Sequence, residues 1–359
     1  MLYLVLISIF ILFLINVLLI YFAKKVFSGS KNGNQEVNIS IVIAAKNEDG
    51  NIVSLLDSLK KLDYPSDKYE VIIVDDNSSD STLEKIILGK TFLKNLSVIE
   101  LKKTNKTGKR EALSLGIRNA KYPYILISDA DCQPQINWVK ACSQKFSLGY
   151  DVIFGIAPFY QRQNIVNKLS CFENLRSSFL ALSMASIGLP YTATARNFGF
   201  SKNIFESLGG YSLTKDTISG DDDLLLREAI KNKLKIGVVT EAKSFVYSET
   251  KKTFKEYLNQ KARHTQTSLY YLKKHQAVLG FWHTLNLFYL FSPLLMFSNV
   301  LFGIMLPVKL AVDYLVNAIV QKKLGYKFSF IELISFQIFY EILIVVHFLN
   351  ASFSKIKWE

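Results

Sequence analysis

The chain has 359 residues, half of them hydrophobic, and a formal net charge of +13 at pH 7. This length allows one large domain or two ordinary ones with a substantial core. The charge could indicate a nucleic-acid partner, but the sequence has no zinc finger, arginine-rich tract or RNA-binding aromatic signature, and its lysines recur beside apolar segments. We therefore expect a lipid bilayer as partner and no nucleic acid.

The amino-terminal segment is long and apolar enough to cross a bilayer. Residues 1–23 carry no charge, which predicts a transmembrane anchor. A cleaved signal peptide is the alternative, but the segment lacks a basic start, and Lys24 and Lys25 follow it without a small-residue cleavage site. By the positive-inside rule, these lysines place the downstream side in the cytoplasm. We expect a multi-pass protein of the cell (inner) membrane with a cytoplasmic globular domain.

Strand and helix patterns alternate after a linker at 24–37. Apolar runs at 39–45, 71–74, 96–101 and 124–128 predict buried strands, and the segments between them carry helical periodicity. This alternation with short connections predicts an α/β domain with a mostly parallel sheet flanked by helices. We place that domain at 38–279.

Two of these strands end in closely spaced aspartates. Asp75 and Asp76 follow the second strand, and Asp129 and Asp131 follow the fourth. The carboxyl ends of parallel strands meet at one edge of the sheet, where such proteins bind ligands. Carboxylate oxygens so close together suit Mg²⁺ or Mn²⁺. The alternative is a surface turn with two solvated aspartates.

The second half of the domain has a more mixed pattern. Segments 151–159 and 192–200 predict strands, 164–187 predicts a long helix, and Gly220 opens a further helix that begins with Asp221, Asp222 and Asp223. Aspartate at a helix start is ordinary capping chemistry, which is the alternative to a catalytic role.

The carboxy-terminal region, 280–350, predicts two or three transmembrane or interfacial helices before a tail at 351–359. Segments 281–306 and 328–349 are long enough to span. Segment 308–320 carries Lys309 and Asp313, so it is either a third span or an interfacial amphipathic helix. An acidic residue in a span is costly, so Glu341 should face other helices or water.

Several motifs occur in the order and spacing of family 2 glycosyltransferases. They are residues 41–48, 74–80, 108–113 and 129–131, followed by 209–211, 220–221 and 260–263. From about residue 38 to 265 the chain resembles these enzymes, in their membrane-anchored bacterial type, and their GT-A fold. The resemblance implies an inverting transfer of a hexosyl or N-acetylhexosaminyl group from a nucleotide-diphosphate sugar. UDP is the default nucleotide. The acceptor follows from no motif: because the predicted anchors place the open edge of the domain beside the bilayer, we expect a lipid-linked or glycan hydroxyl of the cell envelope.

The resemblance also implies roles on the donor side. Asp131 would be a ligand of Mg²⁺ or Mn²⁺, Asp129 would lie near the ribose and the metal, and Asp76 would accept from the imide N–H of the base. The other residues that match the nucleotide pocket are Ala44, Asn47, Glu48 and Lys109. The alternatives are helix-cap chemistry for Asn47 and Glu48, and a solvated lysine for Lys109.

An inverting displacement needs a base that takes the proton of the acceptor hydroxyl. The family carries an acidic–Asp pair, which Gly220 and Asp221 match only at the second position. Asp221 is therefore the predicted base. Asp222 is the second choice because three adjacent aspartates leave the register open, and Asp223 is a cap or an ion-pair partner.

On the acceptor side, Gln260, Arg263 and His264 fall where processive members carry Gln-x-x-Arg-Trp. The three share one helix face, so Gln260 and Arg263 can still reach a diphosphate or acceptor. His264 replaces the tryptophan that would stack on a sugar, and its alternative is an exposed helix residue. By the same resemblance, Arg196 and Asn197 shape the acceptor side.

Two other functions stay open. A processive polysaccharide synthase would thread its product through the carboxy-terminal helices, although the missing tryptophan and the few spans disfavour it. A membrane scaffold that binds nucleotide sugars without catalysis is the third hypothesis. The retained aspartates at 129, 131 and 221 argue against it.

Overall fold

A computed structural model describes residues 2–28, 35–101, 107–214 and 220–353. The linker predicted at 24–37 and the tail predicted at 351–359 lie partly outside the described residues, and the basic loop at 102–106 lies wholly outside them. The chain divides into two compact units. The sheet unit contains the described residues of 30–160 and 192–249, and the helical unit contains those of 1–29, 161–191 and 250–359.

The sheet unit is built on a seven-stranded sheet in the order β3-β2-β1-β4-β7-β6-β8. All pairings in it are parallel except those of β7, which is antiparallel to both neighbours. This confirms the predicted mostly parallel sheet. The strands are β1 Ile39–Ala45, β2 Tyr69–Asp75, β3 Leu96–Glu100, β4 Tyr124–Asp129, β5 Cys132–Pro134, β6 Val152–Gly155, β7 Phe198–Ser201, β8 Ile236–Val239 and β9 Val246–Ser248, of which β5 and β9 form a separate two-stranded ladder.

Six helices belong to the sheet unit and six to the helical unit, among the residues that are described. Those of the sheet unit are α2 Ile52–Lys60, α3 Thr82–Gly89, α4 Lys109–Asn119, α5 Trp138–Ser147, α7 Lys202–Ser207 and α8 Asp221–Lys231. Those of the helical unit are α1 Leu2–Ser28, α6 Ile165–Ser186, α9 Phe254–Ser268, α10 Lys273–Phe291, α11 Met305–Val320 and α12 Phe330–Phe353.

Helices cover both faces of the central strands, which explains why β1 and β2 are apolar almost throughout. On one face, α2 buries residues 52, 55, 56 and 59, the spacing of an amphipathic helix. On the other face, α4 lies so close that a Cβ on Gly116 would stand 2.4 Å from Val42 Cγ1. Glycine at this position lets α4 bring its first residues to the carboxyl edge of the sheet.

The helical unit contains four helices that are long and apolar enough to cross a membrane, within the described ranges. They are Val5–Ser28, Lys273–Phe297, Val300–Leu324 and Phe330–Phe353. The anchor helix continues through Lys24 and Lys25 to Ser28, so the linker predicted from residue 24 begins later. The segment at 308–320 joins a third candidate span in the carboxy-terminal region. Helices α6 and α9, predicted as parts of one continuous domain at 38–279, group with the helical unit instead.

Charged side chains are buried inside the helical unit. Lys309 on α11 bonds to Asp313, and its Nζ lies 3.2 Å from Glu341 Oε1 on α12. Arg176 on α6 lies 3.6 Å from Asp313 Oδ1. Glu341 is therefore buried against other helices, as expected from the cost of an unpaired acid in a span. Because each charge has an opposite neighbour, this cluster links three helices without leaving a lone buried ion.

Candidate active site

The loops after β1 and β2 are tied to each other by short hydrogen bonds. The Glu48 N–H donates to Thr82 Oγ1 at 2.7 Å, and the Ser79 N–H donates to Asn47 Oδ1 at 2.9 Å. Asn47 has a φ of 52°, in the left-handed region that asparagine tolerates. The N-cap of α2 is Asn51, which makes no side-chain cap bond. Asn47 and Glu48 thus join the loop after β1 to the segment after β2, and neither is the N-cap of α2.

Asp76 lies just beyond β2 and is almost fully buried. Both of its carboxylate oxygens accept from the Gly108 N–H at 3.0 Å, and Lys46 Nζ lies 3.7 Å away. These contacts hold the start of α4 against the end of β2. Asp76 therefore sits at the sheet edge where a nucleobase was predicted.

Asp129 and Asp131 lie at the end of β4, the strand between β1 and β7. Asp129 is in register with Ala44 of β1, and its Oδ1 lies 2.5 Å from Lys109 Nζ. The carboxylate of Asp129 raises the pKa of Lys109 although burial opposes this. Lys109 is thus an ion-paired residue of the cluster and not a solvated loop lysine. The buried run of β4 likewise argues against a simple surface turn.

The Asp129–Asp131 pair offers oxygen ligands of the kind that Mg²⁺ and Mn²⁺ prefer. One ligand atom from each of Asp129, Asp131 and Cys132 lies within 4.8 Å of the others, and no other such group of three is found in the part of the chain described. Burial raises the pKa of Asp131, and the charge of Asp129 adds to this effect. Burial also raises the pKa of the Cys132 thiol well above its usual value. The carboxylates therefore fit a hard divalent cation, with Cys132 as a neutral neighbour.

The three aspartates of α8 contact three different partners. Arg110 Nε lies 2.5 Å from Asp221 Oδ1. The Ala195 N–H donates to Asp222 Oδ2 at 2.6 Å, and the Ala193 N–H donates to Asp223 Oδ1 at 2.9 Å. The N-cap position is Gly220, with a φ of 86°. Asp221 is therefore ion-paired, and Asp222 and Asp223 hold the segment before β7.

The two acidic groups, at β4 and at α8, belong to one electrostatic cluster. Burial raises the pKa of Asp222 to about 8, the charges of Asp223 and Asp221 add to this, and Lys109 opposes it. Burial also raises the pKa of Tyr211 well above its usual value, and the charges of Asp221, Asp222 and Asp129 add to this rise. The structure therefore brings together side chains predicted from motifs about 90 residues apart in the sequence.

Arg196 and Asn197 lie beside this cluster but are held by protein contacts. The guanidinium of Arg196 donates to Ser248 Oγ and to Ala157 O, each at 2.7 Å, and its charge opposes part of the rise in the pKa of Asp131. Asn197 is buried, accepts from Trp138 Nε1 at 2.9 Å and donates to Ile156 O at 3.0 Å. Its amide is engaged within the fold, which fits a positioning role better than direct contact with an acceptor.

The residues predicted on the acceptor side at 260–264 lie in the helical unit. Gln260, Arg263 and His264 are all on α9, where Gln260 and Arg263 are half-buried and His264 is exposed. They share the helical unit with α6 and not the sheet unit with the aspartates. Their contact with a diphosphate or acceptor stays a prediction.

Two residues of the cluster, Arg110 and Tyr211, were not predicted from the sequence as parts of the site. Arg110 directly follows the matched Lys109, and Tyr211 directly follows the matched Gly209-Gly210 turn. Both lie inside motifs that the resemblance identified, so their positions were available. Their roles were not, because a surface arginine and a core tyrosine are the ordinary interpretations of such residues.

The mostly parallel sheet, with carboxylates at its edge and helices on both faces, is the GT-A fold of nucleotide-diphospho-sugar transferases. The model of the family described as glycosyl transferase family 2 matches residues 40–209, and this region of the chain belongs to that family. The matched region includes the strands and loops that carry Asp76, Lys109, Asp129 and Asp131.

Similar proteins include membrane-lipid and polysaccharide synthases. The beta-monoglucosyldiacylglycerol synthase of Trichormus variabilis is 30% identical over 242 residues, which cover 61% of this chain and 48% of that protein. The poly-beta-1,6-N-acetyl-D-glucosamine synthase of Staphylococcus epidermidis is 36% identical over 115 residues, or 31% and 27% of the two chains. The chain thus spans about half the length of the first of these relatives, and a smaller share of the second.

A solved structure shares the fold. A mannosyltransferase from Pyrobaculum calidifontis, in complex with GDP-Man and Mn²⁺, aligns with a TM-score of 0.59 at 16% identity. The alignment covers 99% of this chain and 100% of the other.

Proposed function

We propose that the protein is an inverting glycosyltransferase. It would move a hexosyl or N-acetylhexosaminyl group from a nucleotide-diphosphate sugar, with UDP as the expected nucleotide, to a hydroxyl of a membrane-associated, lipid-linked acceptor. The observation that carries this proposal is the cluster in which Lys109 pairs with Asp129 and Arg110 pairs with Asp221. The side chains of Lys109 and Arg110 supply positive charge that can bind a diphosphate, and the Asp221 carboxylate can accept the proton of a hydroxyl group.

The donor half of the site consists of the loops after β1, β2 and β4. Asp76 would accept from the base, Ala44, Asn47 and Glu48 would line the nucleotide pocket, and Lys109 would face the diphosphate. Asp131 and Asp129 would hold Mg²⁺ or Mn²⁺, which stabilises the negative charge of the departing diphosphate. Mn²⁺ and GDP-Man are bound in the similar mannosyltransferase, which is in keeping with this donor class.

Asp221 is the better candidate for the base of the two neighbouring aspartates. Asp221 Oδ1 lies 2.5 Å from Arg110 Nε, so an ion pair holds this carboxylate in place within the cluster. Asp222, with a pKa of about 8, is mostly protonated at pH 7 and accepts from the Ala195 N–H. In the proposed step, the acceptor oxygen attacks the anomeric carbon as its proton passes to Asp221. The bond from that carbon to the diphosphate oxygen breaks.

The candidate membrane helices support the proposal of a lipid-linked acceptor. Four helices have the length and apolarity of membrane spans, and a relative at 30% identity is named as a synthase of a glucosylated diacylglycerol. The lysines at the end of α1 favour a cytoplasmic position for the sheet unit. A single addition to such a lipid is the expected outcome.

A binding panel tests the donor half of this proposal. Thermal shifts of the purified protein would be measured with nucleoside diphosphates and sugar nucleotides, each with and without Mn²⁺. We expect one nucleotide to stabilise the protein, more strongly when Mn²⁺ is present. Equal shifts for all nucleotides, independent of the cation, would contradict the assigned donor site. Processivity needs a separate transfer assay, in which long polymers among the products would favour a processive synthase.

A further inference from the structure

A groove in the sheet unit leads away from the carboxylate cluster. It has a volume of about 440 Å³ and lies between one face of α4 and the segment from α7 to the 3-10 helix Gly210–Thr214. The wall on α4 is formed by Arg110, Glu111, Ser114 and Arg118, whose spacing places them on one side of the helix. The opposite wall includes Phe205, Glu206 and Tyr211.

The inner end of this groove is lined by a residue that pairs with the proposed base. Arg110 lines the groove and also bonds to Asp221 Oδ1 at 2.5 Å. Tyr211 lines it too, and the charges of Asp221, Asp222 and Asp129 act on its hydroxyl. A molecule at this end of the groove would therefore lie next to the ion pair of Arg110 with Asp221.

The lining suits a carbohydrate. It offers guanidinium donors, carboxylate acceptors and serine hydroxyls. The hydroxyl groups of a sugar need both donors and acceptors. The outer residues Arg118 and Glu206 are exposed and accessible to a ligand. A volume of 440 Å³ lies in the range of small-molecule sites and has room for a head group but not for a long chain.

We propose that this groove binds the glycan head group of the acceptor and presents one of its hydroxyls to Asp221. The inference rests on the proposed function and adds to it where the acceptor lies and what it carries: a short, hydroxyl-rich head group outside the bilayer. Arg118 and Glu206 contact the head group. Ser114, in the middle of the groove, leaves the space that the ring occupies.

The test fills the groove while leaving the donor site intact. Ser114→Trp is compared with the matched control Ser58→Trp, another half-exposed serine on a helix of the sheet unit. Three readings are taken on the full-length protein: sugar transfer to a lipid extract, release of nucleoside diphosphate into water without acceptor, and nucleotide-sugar binding. We expect Ser114→Trp to lose transfer but to keep donor hydrolysis and binding, and Ser58→Trp to behave as wild type.

A second pair of variants covers the case in which the tryptophan disturbs folding. Arg118→Ala and Glu206→Ala each remove one charged partner, so the acceptor KM should rise by about tenfold with little change in kcat. Unchanged transfer in Ser114→Trp, or an unchanged acceptor KM in both alanine variants, would overturn the groove assignment. If the wild-type protein turned over no donor at all, the proposed function itself would fail.

Discussion

Asp221 and Asp222 are adjacent in the chain but differ in their surroundings. Asp221 faces the guanidinium of Arg110, whereas Asp222 is half-buried beside two other carboxylates and accepts a backbone N–H. Burial and like charges favour the neutral form of Asp222. The two carboxylates therefore differ in their partners although they share one motif.

This difference predicts distinct effects of two amide substitutions. Asp221→Asn should lower kcat by about 10²- to 10⁴-fold, the usual contribution of a general base. Asp222→Asn should change kcat little at pH 7, because the amide resembles the protonated carboxyl that is present there. The measurement is transfer rate against pH from 6 to 9. Loss of activity in Asp222→Asn, with Asp221→Asn still active, would reverse the assignment.

Asp222 also predicts how stability depends on pH. Its pKa of about 8 in the folded protein lies above the ordinary value of 3.8, so folding favours the protonated form. The stabilising contribution is therefore complete below about pH 3.8, decreases as pH rises above that value, and is lost once pH has passed 8. The melting temperature of wild type should fall more steeply between about pH 5 and 8 than that of Asp222→Asn. Parallel curves would contradict the raised pKa.

Lys109 pairs with the Asp129 carboxylate and so competes with a bound cation for it. Replacing its ammonium group in Lys109→Met should free the Asp129 oxygen and tighten Mn²⁺ binding in the absence of nucleotide by about tenfold. Calorimetric titration with Mn²⁺ measures this. Lys46→Met is the matched control, because Lys46 lies near Asp76 and outside the carboxylate pair. Equal Mn²⁺ affinities in all three proteins would argue against a cation at Asp129 and Asp131.

At the scale of elements, α9 is held to α6 and α12 by a carboxylate that is only 13% exposed. Glu173 on α6 accepts from the Tyr257 hydroxyl at 2.5 Å, lies 3.2 Å from Lys261 Nζ, and lies 3.7 Å from His347 Nε2 on α12. Although burial alone would raise the pKa of Glu173, the charge of Lys261 and these bonds lower it to about 2. This contact fixes the helix that carries Gln260 and Arg263.

Glu173→Gln should destabilise the protein by on the order of 3 kcal/mol, because it leaves Lys261 without its buried partner. The pKa of Glu173 in the folded protein lies below the ordinary 4.5, so its contribution is complete above pH 4.5 and is lost as pH falls towards 2. Unfolding in detergent at pH 7 measures the effect. The more exposed pair of Glu332 with Lys168 provides the control, and Glu332→Gln should change stability less. Equal effects would contradict the buried contact.

The elements that the sequence predicted best are those whose pattern is local. Strands β1, β2 and β4 are apolar runs that end in acidic loops, and α2 has an unbroken amphipathic spacing. The grouping of α6 and α9 with the helical unit was not predictable in this way. It depends on which helices their side chains pack against, and that is decided by partners far along the chain.

The same limit applies to the site. Lys109, Asp129 and Asp131 lie within short motifs, so their positions followed from the sequence. The ion pair of Arg110 with Asp221 joins residues 111 positions apart, and no local pattern reports it. The pKa of Asp222 depends on burial and on neighbouring charges, which only the folded chain defines.

At the scale of the whole molecule, the proposed topology can be tested with cysteine labelling. The three native cysteines are all buried, so background labelling should be low. Ser54→Cys places a thiol on an exposed position of α2 in the sheet unit. With the sheet unit in the cytoplasm, an impermeant maleimide should label this thiol in inverted membrane vesicles and not in intact cells. Labelling in intact cells would contradict the cytoplasmic assignment.

The measurement that tests the central claim most directly is sugar transfer to membrane lipid by the full-length protein. Labelled sugar nucleotides would be incubated with a lipid extract and Mn²⁺, using wild type and Asp221→Asn side by side. We predict that wild type adds a single sugar to a lipid, while Asp221→Asn binds the same donor but transfers at least about 10²-fold more slowly. Transfer by Asp221→Asn at the wild-type rate would contradict the account.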